Sequence, residues 1–245
     1  MSPHILKSGK VHYPESDGKP MAETDIHRDL MLEAIEAVRE RFRDEPNFYV
    51  SGNLFVYYEE GDPEKVVAPD FFAVRGVPRG QRRIYKVWEE VKGPEVVLEL
   101  TSPTTHLEDL GNKRAIYEVL GVSEYFICDP LVKASQPNLR GFRLKEGVLQ
   151  PIPESRREQG LQVFASEVLG LELHGSGSTL RWVDPLTGKP LPTRQEIRQR
   201  ADEEKQRADE ERERAEKERA RAEAAIAENV RLRAELERLR RPPGG

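Results

Sequence analysis

The 245-residue sequence predicts an α/β head, a small β appendix and a long charged C-terminal helix. Three observations carry that prediction. Apolar residues recur at helical spacing in two segments, with short β-type apolar runs around them. Charge is segregated: between Thr193 and Arg241, 29 of 49 residues are charged, against 54 in the other 196. Within that charged segment Ala201, Ala208, Ala215 and Ala222 recur every seven residues.

In chain order, residues 1–22 read as a polar, Gly/Pro-punctuated arm. Thr24 or Asp25 offers an N-cap, and Ile26, Leu30, Met31, Ala34, Ile35, Val38 and Phe42 follow at helical spacing, so a helix is expected over about 25–43 with Pro46 marking its end. Phe48–Val50, Leu54–Tyr58 and Val66–Val74 read as strands separated by Ser51-Gly52-Asn53 and Glu60-Gly61-Asp62-Pro63 turns. After a basic loop, Arg79–Lys86, the run Glu95–Thr101 is a further strand that Pro103 stops. A second helix is expected over about His106–Leu120, with Gly121 as its C′ residue. Glu124–Cys128 has the apolar character of a buried strand, closed by Asp129-Pro130. Gly141–Leu144, Val148–Ile152 and Leu180–Val183 read as a meander, with Val168–Leu173 intermediate.

The tail reads as one helix. Its seven-residue register continues from the alanines to Asn229 and Leu236, and the companion seam holds Glu204, Glu211 and Glu218, then Ala225, Leu232 and Leu239. Alanine against glutamate is a poor seam, and Glu203–Arg207 and Glu210–Arg214 at i,i+4 suit a solvated helix. Leu232, Leu236 and Leu239 read as a short zipper, with Asn229 setting register in a homodimer; a solitary charged helix and a helix that binds another protein are the alternatives. The expected division is 1–22 arm, 23–175 main domain, 176–192 β appendix and linker, 193–241 charged helix or coiled coil, and 242–245 tail.

Composition narrows the function classes. No stretch approaches ~20 consecutive apolar residues, so no membrane span is expected. The N-terminus lacks the apolar run of a secretory signal, and a lone Cys128 allows no intrachain disulfide or cysteine-based zinc site; both point to the cytoplasm. The head carries 24 basic against 30 acidic residues, which argues against a broad non-specific nucleic-acid surface and leaves room for a local one.

Chemistry is expected where charge meets apolar strand. Asp70 interrupts Val66–Val74, where alternation sets it on the face of Phe72 and Val74, and Pro69 places it where the strand emerges. Glu99 lies in a strand that should be mostly buried, on the face opposite Val96, Leu98 and Leu100. A buried carboxylate needs a partner or a metal, and pairing with a nearby arginine is the plain alternative. On the second helix, Lys113 falls between Tyr117 and Leu120 on the inward stripe, either snorkelling to Asp109 or reaching the two acids. Together, two carboxylates from adjacent strands can hold a hard divalent cation, and a lysine can orient the attacking water. That assembly suits phosphodiester hydrolysis.

Pro69-Asp70, then Glu99-Leu100-Thr101-Ser102-Pro103-Thr104-Thr105, Asp109, Lys113, Tyr117, Gly121-Val122-Ser123-Glu124-Tyr125-Phe126 and Asp129-Pro130 resemble the bacterial Uma-two family, restriction-endonuclease-like proteins of the PD-(D/E)XK nuclease superfamily. The resemblance covers about residues 20–175. It implies a mixed β-sheet flanked by helices, with a restriction-endonuclease-like core over residues 23–175, and a magnesium-dependent nuclease site in which Asp70 is the motif aspartate and Glu99 the motif glutamate. The superfamily's lysine stands two residues after the glutamate, where this chain has Thr101; the resemblance implies that Lys113 has taken over. Glu23, His27 or Glu33 on the first helix are lesser candidates for a further ligand, with His27 more simply a structural hydrogen-bonder. Arg79, Arg82, Arg83 and Lys86 are candidates for phosphate contacts, or a solvated loop. The leading expectation is a metal-dependent DNA endonuclease that dimerises through its tail; the alternative is an inactive nuclease-like scaffold acting through its coiled coil.

Overall fold

The first helix starts where the sequence offers its cap: Thr24 Oγ1 accepts from the His27 N–H at 3.2 Å, and α1 runs Asp25–Arg41, burying Leu30, Met31, Ala34, Ile35 and Val38. The computed structural model describes residues 11–16, 18, 24–101, 109–132, 138–158 and 160–240. Two compact units divide the chain, residues 1–194 and 195–245.

In the first unit, β1 (Phe48–Ser51), β2 (Val56–Tyr57), β3 (Val66–Val67), β4 (Phe71–Arg75), β5 (Tyr85–Lys86), a short α2 (Val87–Glu90) and β6 (Val96–Leu100) follow α1. A π-helical turn, Asp109–Lys113, leads into α3 (Arg114–Val119), and then come β7 (Glu124–Cys128), β8 (Leu139–Lys145) and β9 (Val148–Pro151). The last five strands are β10 (Arg156–Glu158), β11 (Leu161–Ser166), β12 (Leu171–Ser176), β13 (Thr179–Asp184) and β14 (Lys189–Pro190).

A six-stranded mixed sheet, ordered β1-β4-β6-β7-β8-β9, forms the centre, with β6 and β7 its parallel pair. One face packs on α1 and on the antiparallel sheet β10-β11-β12-β13-β14, through Phe71, Leu98, Phe126, Phe164, Leu173 and Trp182. The other face packs on the small sheet β3-β2-β5 and on α3, through Phe72, Val97, Tyr85, Tyr117 and Tyr125. The mixed α/β architecture with flanking helices is thus the expected one.

Several details differ from expectation. The run Val66–Val74 is two strands, because Pro69 brings no N–H to a ladder; its carbonyl instead accepts from Asn53 N at 2.7 Å. The described part of the second helix begins with a π turn, and residues 102–108 lie outside the described residues. The β appendix is a five-stranded sheet that starts at Arg156 and crosses the expected 175/176 boundary. Its β11 buries two polar residues that disguise it. The Gln162 side-chain carbonyl accepts from the N–H groups of Asn138 and Leu139 at 2.7 and 2.9 Å, and the Ser166 hydroxyl donates to the buried carboxylate of Glu124. Glu124 also takes Arg143 at 3.0 Å and the Glu167 N–H at 2.8 Å, which ties this sheet to the central one.

The second unit is the helix α4, Arg194–Arg240 apart from its first residue, about 70 Å long at ~1.5 Å per residue. From Arg198 to Leu236 its side chains are exposed. Along it Arg212 pairs with Glu216 and Arg219 with Glu223, while Glu203 and Glu210 accept from Gln199 and Gln206 rather than from Arg207 and Arg214.

Candidate active site

β4 and β6 run antiparallel with Phe71 opposite Leu98; one step further along the same register, Asp70 stands opposite Glu99. The break at Pro69 leaves Asp70 just outside the ladder, free to turn its side chain onto the neighbouring strand. Its Oδ2 accepts from the Leu100 N–H at 2.7 Å, and its Oδ1 lies 3.1 Å from His27 Nε2, brought in by the first turn of α1. The chain beside it is closely fitted: a Cβ on Gly52 would come to 1.9 Å from the Asp70 carbonyl oxygen. Only glycine fits there.

Glu99 is 1% exposed, on a central strand. A bare carboxylate at that depth would be costly, and two residues one helical turn apart on the π/α3 segment meet it. Lys113 Nζ sits 3.0 Å from Oε2, and the Tyr117 hydroxyl donates to Oε1. Lys113 keeps some water, with its side chain 23% exposed. Burial pushes the Tyr117 hydroxyl well above the usual phenol range, with the Glu99 charge next and Asp70 adding a smaller push, so Tyr117 stays a proton donor. Glu99, Lys113 and Tyr117 therefore meet directly, with Asp70 within electrostatic reach of the same hydroxyl and anchored on β6.

The other candidates lie as follows. Thr101 is buried, its N–H donating to the Cys128 carbonyl at 2.8 Å. Glu33 faces a small cavity beside Leu180 and Trp182, on the side of the second sheet, and not the acid pair. Glu23 lies outside the described residues. The basic loop is largely committed to internal partners. Arg82 makes a two-pronged pair with Glu90 at 2.6 and 2.9 Å and lies over the Tyr49 ring; Arg83 pairs with Glu15 at 2.6 Å and Lys86 with Glu89 at 2.8 Å. Arg79 differs, donating to the Phe42 carbonyl. On α4, Asn229 Nδ2 donates to the Ala225 carbonyl at 3.0 Å, Leu232 and Leu236 are exposed, and the Leu239 side chain lies outside the described residues. Composition and spacing gave no sign of the Leu100 N–H as a partner of Asp70; a strand break one residue before an acid is the signal that points to such a contact.

The donor set can be tested against a divalent cation. Among the described residues no three His, Cys, Asp or Glu side chains converge to hold a metal. Two carboxylates on facing positions of adjacent strands do suit Mg2+, which is commonly held by one or two carboxylates and completes its shell with water and substrate phosphate oxygens. Among the described residues each Asp70 oxygen meets one protein partner, the Leu100 N–H or His27, which leaves a second lone pair for a cation.

The family model described as "Putative restriction endonuclease", Uma2, matches residues 5–175. The chain belongs to the Uma2 family. No curated protein matches this Uma2 chain. Among solved structures, it is similar to a crystal structure from Anabaena variabilis ATCC 29413, described as a putative nuclease belonging to DUF820, with 15% identity over 62% of this chain and 76% of that one and a TM-score of 0.44. Among the described residues of this Uma2 chain, no helix is long and apolar enough to cross a membrane.

Proposed function

We propose that this Uma2 chain is a divalent-metal-dependent DNA endonuclease that hydrolyses phosphodiester bonds in the cytoplasm. The observation that carries the reading is the buried carboxylate of Glu99, which meets the Lys113 ammonium at 3.0 Å, with Asp70 across the strand from it. Asp70 and Glu99 would hold Mg2+ or Mn2+. When bound, the ion supplies positive charge opposite the phosphoryl oxygens and acidifies the attacking water. His27 and the Leu100 N–H fix the two oxygens of Asp70, and Tyr117 fixes Glu99, so neither acid needs to reorganise. Lys113 is the chain's own cation at the site, orienting water and stabilising charge as it builds on phosphorus.

The tail supports self-association. Asn229 and Leu236 recur on one seven-residue register and Leu232 and Leu239 on its companion, which together make a zipper stripe, and a dimer would bring two sites to one duplex, as double-strand cleavage requires. A second reading, a scaffold without cleavage, draws on Thr101 at the position where the superfamily carries lysine.

The full chain incubated with supercoiled plasmid and Mg2+ or Mn2+ separates the two. Nicking is expected, with Asp70→Ala and Glu99→Gln inactive and Lys113→Met slower by about 10²–10³ fold. No nicking by the parent chain, or equal nicking by Asp70→Ala, overturns the nuclease reading.

A further inference from the structure

We infer that the cleft along the outer edge of β1 binds the sugar–phosphate backbone of a nucleic-acid strand, gripped by Arg39 and Arg79. The inference rests on the nuclease reading and deepens it by naming where the substrate strand lies. β1 is an end strand of the central sheet, so one of its sides has no neighbouring strand. Along it runs a cavity of about 260 Å³, floored by Phe48, Tyr49 and Val50 and walled by Arg39, Arg79 and Gln81.

The two arginines differ from most cations around them. Arg75, Arg82, Arg83 and Lys86 each have a carboxylate within 3 Å. Among the described residues, Arg39 and Arg79 have none within ion-pair distance. They are held by neutral backbone oxygens instead: Arg39 Nε and Nη2 donate to the Val50 carbonyl at 3.0 and 2.8 Å, and Arg79 Nη2 donates to the Phe42 carbonyl. A carbonyl fixes a guanidinium in place but leaves its charge uncompensated. Of five N–H donors on each, two are used on Arg39 and one on Arg79, and those left suit the oxygens of a phosphodiester. In a head that carries more acids than bases, such a local pair is where an anionic strand would be held.

The cleft also leads toward the acid pair. From Val50, which anchors Arg39, two residues of β-type chain span about 7 Å to Gly52, the residue packed against the Asp70 carbonyl. A backbone lying across Arg39 and Arg79 therefore continues toward Asp70 without leaving the sheet edge. Arg82, Arg83 and Lys86 take no part, since carboxylates already neutralise them.

The test uses the full chain, a short fluorescein-labelled DNA duplex and a metal-free buffer containing EDTA, read by anisotropy over a salt series. Arg39→Gln/Arg79→Gln is expected to weaken binding by about tenfold or more and to reduce the slope of log K against log salt by roughly 2, about 0.9 per phosphate contact. Arg39→Lys/Arg79→Lys keeps the slope, because charge sets it, and guards against a folding defect from the lost Val50 contact. Arg83→Gln binds as the parent does. Parent-like binding and slope in the Gln double variant, or no binding by the parent chain, overturns the inference. Plasmid nicking on the same preparations keeps the two ideas apart. Nicking that ignores both arginines sinks the cleft and leaves the nuclease, whereas arginine-dependent binding without nicking sinks the nuclease and leaves the cleft.

Discussion

Tyr117→Phe removes one hydroxyl and leaves the ring, which packs 4.9 Å from Tyr125, in place. What is lost is the donor to Glu99 Oε1, on a carboxylate that is buried in the sheet. Hydrogen bonds to charged groups contribute about 1.5–3 kcal/mol, so the variant should lose about that much stability, or roughly 4–10 °C in Tm for a unit of this size. The hydroxyl's raised pKa keeps it protonated at any assay pH below the ordinary phenol range, so the loss should not vary over neutral pH. Urea unfolding followed by tryptophan fluorescence is the suitable assay. Trp88 and Trp182 are the chain's two tryptophans, and Trp182 packs against Phe71 and Phe126 in the core of the first unit, so the signal reports that unit and not the tail. In a Glu99→Gln background the acceptor is neutral, and the same substitution should cost about 1 kcal/mol. An unfolding midpoint within about 0.5 kcal/mol of the parent, or an equal penalty in both backgrounds, would refute the claim that Tyr117 serves a buried charge.

Two further outcomes follow from the same structure. Burial, with Asp129 adding to it, pushes the Cys128 thiol up to about 12. The unfolded chain then loses that proton first, and stability falls as pH rises from about 9 toward 12, by about 1.4 kcal/mol at pH 10. Comparing the parent with Cys128→Ala at pH 8 and pH 10 isolates this part from the buried tyrosines, and an identical pH dependence in the two proteins would count against it. In the tail, Leu232→Asp/Leu236→Asp should shift sedimentation of the full chain from dimer to monomer, whereas unchanged sedimentation would remove the zipper.

Legibility followed locality. α1 could be read because Thr24 caps it and its apolar stripe is regular, and β6 and β7 because their apolar runs are long enough to stand out. Lys113 and Tyr117 stand four apart on one helical face, so a wheel turns both toward the same side, and both meet Glu99. What could not be read depends on distant partners. β5 is two residues long, fixed by its parallel pairing with β2, far back in the chain, rather than by propensity. The basic loop looked available because its acids come from other segments: Glu90 lies eight residues beyond Arg82, and Glu15 comes from the N-terminal segment. Arg39 carries no local mark at all, and only the carbonyl it binds sets it apart.

The position of the lysine has a physical reason. At residue 101, two residues beyond Glu99, the strand is still inside the sheet: Thr101 is buried and its N–H bonds to Cys128 on β7. An ammonium rooted there would surrender nearly all of its hydration before meeting the acid, and desolvating both members of an ion pair can cost more than their attraction returns. Lys113 comes instead from a helix that covers the sheet, so its stem crosses the apolar contact while its head stays partly wet. The π turn ending at Lys113 hands directly into α3, which carries Tyr117 to the same carboxylate. His27 arrives from α1, which packs on the opposite face of the sheet, so the acid pair sits where both cores end. The cluster therefore depends on α1 and α3 being docked at once, and a sheet that had lost either helix would be left with an acid short of its partner.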